Sequence, residues 1–215
     1  AIEQEHQDIV AYLLSEYVPP SSHEVRQATL TKNTAILQLL FETAWDINQA
    51  LGWEDPPALA CAVTDPDLTA WFLAHGADPN ASSIMEETPL STAVRDAPFP
   101  VIQMLFAHSG NVNQGHLLHS AVWRKLDDRK TVMEFLIRKG APVNAVMYED
   151  RPELYLMRKP FGLGTPLHTA AATGHEDVLQ VLVSHGARLD IKDSCGDLAV
   201  DIAEAEGHSR AAQYL

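Results

Sequence analysis

The stretch GTPLHTAAATGHEDVLQVLVSHGARLD, residues 164–190, holds two helix signals separated by a turn signal. Thr165 and Pro166 suit the start of a helix, because a threonine hydroxyl caps free amide groups and proline fits the first helical position. Gly174 separates the two helices. Gly186 ends the second helix in the left-handed conformation that glycine adopts at low cost. The segment therefore predicts a helix–turn–helix unit.

The unit recurs along the chain. Gly174 and His175 are followed 33 positions later by Gly207 and His208. One unit cannot bury its own apolar face, whereas stacked units can, so the repeats predict an all-α solenoid with nearest-neighbour contacts. A short phrase that ends each second helix is repeated. It occurs as LAHGADPN (73–80), FAHSGNVN (106–113), IRKGAPVN (137–144), VSHGARLD (183–190) and, in a more divergent copy, FETAWDIN (41–48).

The repeat resembles the ankyrin repeat family. The resemblance rests on TPLHTAA at 165–171, TPLSTAV at 88–94, LLHSAV at 117–122 and the repeated glycine–asparagine phrases, at a period near the ~33 residues of that family. It implies short hairpin fingers between units and recognition of other proteins. We expect one ankyrin-repeat domain over 1–215, with about six units including partial terminal ones: a half repeat at 1–18, repeats near 23–48, 57–80, 88–113, 116–144, 165–190 and 198–215, and an insertion at 145–162.

Composition narrows the possible function classes. The formal charge is −14, which argues against nucleic-acid binding, since that needs a basic face, and is compatible with a basic protein partner. No apolar run approaches the ~18 residues that a membrane span needs. Cys61 and Cys195 form neither a disulfide framework nor a zinc spacing, which favours a reducing compartment, cytoplasmic or nuclear. We expect an intracellular monomer that binds another protein.

Ten histidines raise the question of metal binding or catalysis. His116 and His119 are three apart on a helix, with Asp127 and Asp128 downstream, which is compatible with a partial zinc site. A clear third ligand is missing, so we expect no metal and regard the pair as structural. The repeat register accounts for seven histidines, at the ends of second helices (His75, His108, His185), in the TPLH position (His119, His168) and after the interhelical glycine (His175, His208); His6, His23 and His116 are left over.

Catalytic motifs are missing from the sequence. It contains no GxSxG, no P-loop, no HExxH and no glycine-rich dinucleotide loop. Paired acids occur at Asp65 with Asp67 and at Glu86 with Glu87, in turns where such residues are usually solvated caps. The sequence therefore predicts no catalytic residue, no cofactor and no enzyme activity.

The fingers between units differ in length. From the last residue of one phrase to the next helix start, two fingers span 8 residues and one spans 9. The finger from Asn113 to His116 spans only 3, and that from Asn144 to Thr165 spans 21. One finger thus lacks about five residues and its neighbour carries thirteen more. The added stretch MYEDRPELYLMRK, residues 147–159, shows no clear helical or strand period.

This insertion is the predicted binding segment, because aromatic residues, methionine and arginine are enriched at interfaces. Trp123 occupies the concave position of the first helix in the unit between the short and long fingers. A tolerated insertion, and a Trp123 packed under it as local core, are the alternatives. The predicted partner-binding residues are Trp123, Arg124, Met147, Tyr148, Tyr155, Met157, Arg158 and Phe161.

Two further interpretations accompany the prediction of a recognition module that binds through its concave face and the 145–162 finger. The first is an enzyme or small-molecule pocket roofed by the 146–161 loop, which an apolar pocket with a carboxylate–histidine pair would favour. The second is a scaffold segment of a larger chain. An open groove would favour recognition.

A modification site is also implied by the resemblance. Some ankyrin repeats are substrates of an asparaginyl hydroxylase that acts on the asparagine of the repeated phrase, after acidic and aliphatic residues and a leucine eight positions earlier. Asn48 fits best, with Leu40, Asp46 and Ile47 in place. Asn80 has phenylalanine and proline at the corresponding positions and should be poor. The alternative is that these asparagines only close the turn through bonds to their own backbone.

Overall fold

The computed structural model describes residues 7–16, 19–43 and 45–215. Within these ranges the secondary structure is helical, with isolated β-bridges but no extended strand, which confirms the all-α prediction. The chain divides into two compact units, Ala1–Gly115 and His116–Leu215. The single-domain expectation for 1–215 stays a prediction. His6 and the ends of the expected half repeat, 1–6 and 17–18, lie outside the described residues.

The first unit is a stack of helix pairs. In each pair a first helix packs on the second helix that follows it, and first helices also pack on first helices of the next repeat (α2 on α4, α4 on α6). Phe72, Leu90 and Leu105 are fully buried between them. The helices are α1 Gln7–Ser15, α2 Ser22–Leu30, α3 Thr34–Thr43, α4 Leu59–Ala62, α5 Pro66–Ala74, α6 Pro89–Asp96 and α7 Phe99–Ala107.

The second unit continues the same arrangement around a longer finger. First helices pack in the order α8, α11, α13, and second helices in the order α9, α12, α14. Leu136, Leu167 and Leu182 are fully buried. The helices are α8 Leu117–Val122, α9 Arg129–Arg138, α10 Pro152–Arg158, a 3-10 turn Lys159–Phe161, α11 Pro166–Thr173, α12 Glu176–Ser184, α13 Ala199–Ala205 and α14 Ser209–Tyr214.

Helix starts follow the Thr-Pro signals. At α6 the Thr88 hydroxyl accepts from the Ser91 amide at 2.9 Å, and the Ser91 hydroxyl accepts from the Thr88 amide at 2.8 Å. At α11 the Nδ1 atom of His168 accepts from the Thr165 amide at 3.1 Å, which is the structural role expected for the TPLH histidine. The repeat near 57–80 lacks Thr-Pro, and its first helix shrinks to the four residues of α4.

Asparagine side chains join the repeated phrases of successive repeats. The Asn80 amide donates to the Ser109 carbonyl at 2.9 Å, and its Oδ1 accepts from the Asn111 amide at 2.6 Å. Asn48 makes the same two bonds to Gly76 and Asp78, and Asn144 makes them to Gly186 and Arg188. The expectation that these side chains bond only their own local backbone was therefore wrong, because they tie one repeat to the next.

The insertion is folded, although its sequence shows no period. Pro152 begins α10 and suits the first helical position. The helix has seven residues and buries only Leu154, so a helical apolar pattern is too short to be visible. Among the described residues no helix is long and apolar enough to span a bilayer.

Candidate partner-binding site

The insertion is anchored at both ends within the second unit. At its start, the Met147 amide donates to the Gly164 carbonyl at 3.2 Å. At its end, Ser194 and Leu163 exchange two bonds: the Ser194 amide donates to the Leu163 carbonyl at 2.9 Å, and the Leu163 amide donates to the Ser194 hydroxyl at 2.7 Å. The Ser194 hydroxyl also donates to the Lys159 carbonyl at 2.7 Å. These bonds hold α10 between two fixed points.

Tyr148 belongs to this anchor and not to an exposed surface. Its side chain is buried at 7% exposure, and its ring lies edge-on to His116, with ring centroids 4.8 Å apart. Its backbone has a φ of 60°, an uncommon conformation for a bulky residue. The prediction that Tyr148 contacts a partner is corrected: the ring packs the base of the insertion onto the start of α8.

The His116–His119 pair also has a structural role. The Nε2–H group of His119 donates to the Gly164 carbonyl at 3.1 Å. Burial, followed by the nearby His116, lowers the pKa of His119 to about 3, so the imidazole is neutral at physiological pH. With Nε2 used as a donor and Asp128 bound to Arg124, the zinc interpretation loses two of its expected ligands.

The prediction that Arg124 contacts a partner is also corrected. Its side chain is fully buried and makes two bonds to Asp128, from Nε at 2.6 Å and from Nη2 at 2.8 Å. Such a bidentate pair fixes both side chains. The Arg129 guanidinium caps the turn by donating to the Arg124 carbonyl at 2.6 Å. Arg124 therefore holds the turn between α8 and α9 and is not available to a partner.

The exposed part of the predicted site lies on α10 and the 3-10 turn after it. Leu156, Met157 and Phe161 are 69%, 45% and 76% exposed, and we call these three residues the α10 patch. The Arg158 guanidinium lies 5.9 Å from the centre of the Phe161 ring. Met147, Tyr155 and Arg158 are half-buried.

Trp123 is exposed to solvent. It is 54% exposed at the C-terminal end of α8, so it does not form a local core under the insertion, as one alternative proposed. Among the described residues no ring contact joins it to α10. Leu126, in the same turn, is 44% exposed and was not predicted, since it falls outside any apolar period of the flanking helices.

Other predicted features lie where the register places them. Asp65 caps α5 by accepting from the Leu68 amide at 3.0 Å, as expected for a capping acid. The Nδ1–H groups of His75, His108 and His185 donate to carbonyls four residues earlier. Cys195 is exposed and Cys61 is half-buried, and burial raises the pKa of the Cys61 thiol.

Comparison with known proteins agrees with this architecture. A family model described as ankyrin repeats (many copies) matches residues 167–215. Cyclin-dependent kinase 4 inhibitor B from Homo sapiens is 33% identical over 130 residues, which cover 60% of this chain and 86% of that protein. The chain belongs to the ankyrin repeat family, and the prediction of a protein-binding repeat module is confirmed at that level.

Shorter matches have higher identity. Cyclin-dependent kinase 4 inhibitor B from Rattus norvegicus is 50% identical over 84 residues, or 39% of this chain and 55% of that protein. Cyclin-dependent kinase inhibitor 2A from Homo sapiens is 50% identical over 84 residues, or 39% of this chain and 46% of that protein. The chain thus spans about half the length of these two relatives.

The structural role of Arg124 leads to a first prediction. Asp128→Ala leaves the buried guanidinium without its carboxylate, and should lower the free energy of unfolding by about 2–4 kcal/mol, less than for a wholly buried pair because Asp128 is partly exposed. The matched change Asp127→Ala, at an exposed neighbour, should alter it by less than about 0.5 kcal/mol. Urea unfolding of both variants measures the difference. Equal stabilities would contradict the assigned role.

The second prediction concerns pH. The unfolded chain protonates His119 near its ordinary pKa of about 6.5, whereas the folded chain does so only near about 3. The unfolded state therefore binds more protons between these values, and stability falls as pH drops through that window, by up to about 1.4 kcal/mol per pH unit for this one group.

The variant His119→Gln can still donate to the Gly164 carbonyl but takes up no proton. Its unfolding free energy should depend less steeply on pH between about pH 5.5 and 4.5, where the carboxylates that also begin to titrate are the same in both proteins. His168 and His175, whose pKa values burial also lowers, remain in both proteins and cancel in the comparison. Parallel pH profiles from urea unfolding would show that His119 does not titrate as described.

Proposed function

We propose that the chain is a protein-recognition module without chemistry of its own, and that the α10 patch is its principal contact, with Trp123 as a second. The observation that carries the proposal is the exposure of Leu156 and Phe161, at 69% and 76%, on an anchored segment. Exposed apolar patches beside charged residues mark interaction sites. Because Ser194 and Gly164 already hold the segment, little ordering entropy is lost on binding.

The enzyme alternative finds less support from the groups nearest the insertion. His168 accepts from the Thr165 amide through Nδ1. The Oδ1 atom of Asp193 accepts from three backbone amides, those of Cys195, Gly196 and Asp197, at 2.8–3.0 Å. A carboxylate and an imidazole that already serve as caps are poorly placed to act as an acid–base pair. Their bonds support recognition over catalysis.

The partner that we propose to test first is a cyclin-dependent kinase. The human and rat relatives are named as inhibitors of cyclin-dependent kinase 4. The formal charge of −14 would favour approach to a basic face on such a partner. An intracellular location is part of this proposal.

The third prediction tests the α10 patch. The double variant Leu156→Ser with Phe161→Ser should weaken binding to a purified cyclin-dependent kinase catalytic subunit by about tenfold or more, since exposed apolar anchors typically contribute about 2 kcal/mol. Leu189→Ser, at a 43% exposed leucine outside the patch, is the matched control and should leave affinity unchanged. Calorimetry measures the affinities, and thermal unfolding verifies that the exposed substitutions leave the fold intact.

Two outcomes would count against this proposal. Equal affinity of the double variant and the wild type would place the contact elsewhere on the chain. If the wild type does not bind the kinase, affinity capture should still recover proteins with the wild type that the double variant does not recover. No difference would remove the α10 patch as the main surface.

The fourth prediction is hydroxylation of Asn48, which we retain as a proposal. Both bonds of its side chain to the next finger, at 3.2 and 2.7 Å, would have to open before an enzyme could reach it. Asn80 makes equivalent bonds, so the sequence around each asparagine should decide which is modified. After co-expression with an asparaginyl hydroxylase, peptide masses should show one added oxygen atom on the Asn48 peptide first. Modification of Asn80 alone would refute the proposal.

A further inference from the structure

A groove of about 300 Å³ lies in the first unit, at the end of α3 and the turn that follows it. Phe41, Trp45 and Ile47 supply its apolar lining, and Glu42, Asp46 and His75 its polar lining. The ring of Phe41 continues into an aromatic cluster behind the groove, with centroids 6.3 Å from Trp71. None of the residues discussed for partner binding above belongs to this groove.

The two carboxylates give the groove a negative character. Glu42 accepts from the Gln38 amide at 2.8 Å through Oε1, and Asp46 accepts from the Asn48 amide at 2.9 Å through Oδ1. Each bond engages one oxygen and leaves acceptor capacity on the carboxylate. No lysine or arginine lines the groove in the part of the chain that the structure describes.

His75 adds a third acceptor. Its Nδ1–H group donates to the Trp71 carbonyl at 2.7 Å, and its ring stacks on Trp71 with centroids 4.0 Å apart. In the neutral imidazole, the other nitrogen then carries the lone pair. In that form Nε2 is the acceptor atom of His75, which is one of the residues that line the groove.

A ligand that suits this lining is cationic, rich in donors and flat. The guanidinium of arginine has five N–H donors and no acceptor, and it stacks on aromatic faces. Its aliphatic stem can lie against Phe41 and Ile47. A lysine ammonium is a compact, strongly hydrated charge and uses an aromatic wall less well.

Trp45 adds an unsatisfied donor to the wall of the groove. Its side chain is only 9% exposed, and its indole N–H has no acceptor within the described residues. A buried donor without an acceptor is unfavourable. Because the indole nitrogen is itself buried, a backbone carbonyl beside the arginine supplies the missing acceptor only if the wall of the groove shifts on binding.

We propose that this groove is a receptor for an arginine side chain carried by a basic segment of another protein. The site is independent of the α10 patch, so either contact can fail in experiment without the other. Two of the acidic residues that give the chain its net negative charge line this groove beside its aromatic wall.

The fifth prediction uses the four tryptophan indole signals of the ¹⁵N-labelled chain as reporters. Titration with the blocked peptide acetyl-Gly-Arg-Gly-amide should produce saturable shifts at Trp45 and Trp71, with Trp53 and Trp123 as internal controls. The lysine peptide should bind more weakly. The citrulline peptide, which keeps the shape of arginine but lacks its charge, should give no saturable shift. Equal binding of the arginine and citrulline peptides would overturn the proposal.

Variants of the carboxylates complete the test. Glu42→Gln and Asp46→Asn keep an acceptor oxygen but remove a charge. Each should lower the affinity for the arginine peptide by about threefold to tenfold. Glu16→Gln removes the same charge from an exposed site on the same unit and should have no such effect. If Glu16→Gln weakens binding as much as Glu42→Gln, the attraction is general and the groove is not a receptor. The Leu156→Ser, Phe161→Ser variant should bind the peptide normally, which separates this site from the α10 patch.

Discussion

Paired hydrogen bonds from one asparagine to the repeated phrase of the next repeat hold successive repeats together. Asn48 reaches a carbonyl 28 positions ahead, Asn80 one 29 positions ahead, and Asn144 one 42 positions ahead. The difference of thirteen between the last two equals the number of residues by which the long finger exceeds an ordinary finger. Because the same two bonds form across it, the chain can extend a finger without shifting the helices on either side. Stacking then depends on these fixed points and on apolar burial between neighbours.

An insertion placed between such points must still satisfy its own backbone. Met147 does so at one end through Gly164, and Leu163 at the other through Ser194. Tyr148 fills the space beside His116. With its ends packed in this way, α10 buries one leucine inward and leaves Leu156, Met157 and Phe161 outside. The burial of Tyr148 and the exposure of the patch therefore have one cause.

The sequence predicted features that local chemistry decides. Thr-Pro starts, glycine stops and the histidines of helix ends follow from capping, so Thr88, Thr165 and His185 lie as expected. The sequence did not predict features that depend on contacts between residues far apart in the chain, or elements too short to show a period. α10 is too short to show a period.

Arg124 was predicted to bind a partner only because arginine is common at interfaces, and that prediction was wrong. Asp128, four positions later, was a nearby acid that could pair with Arg124, although the two residues lie in the turn between α8 and α9 and not on one helix. The groove at Trp45 also left a trace, in that a large aromatic residue replaces the small alanine of the repeated phrase. The sequence alone could not show which other side chains lie next to Trp45 in space.

His75 makes the same point in chemical terms. Like His108 and His185, it ends a second helix and donates Nδ1–H to the carbonyl four residues before it. That bond is a repeat feature and carries no function by itself. Around His75, however, a tryptophan supports the ring, and Glu42 and Asp46 come from the neighbouring repeat to line the same groove. The capping bond fixes which nitrogen holds the lone pair in the neutral ring, so a structural constraint of the repeat decides which atom can accept from a ligand at the proposed site. A site can thus arise in this fold by changing the neighbours of a cap that recurs among the repeats, while the cap itself stays as it is.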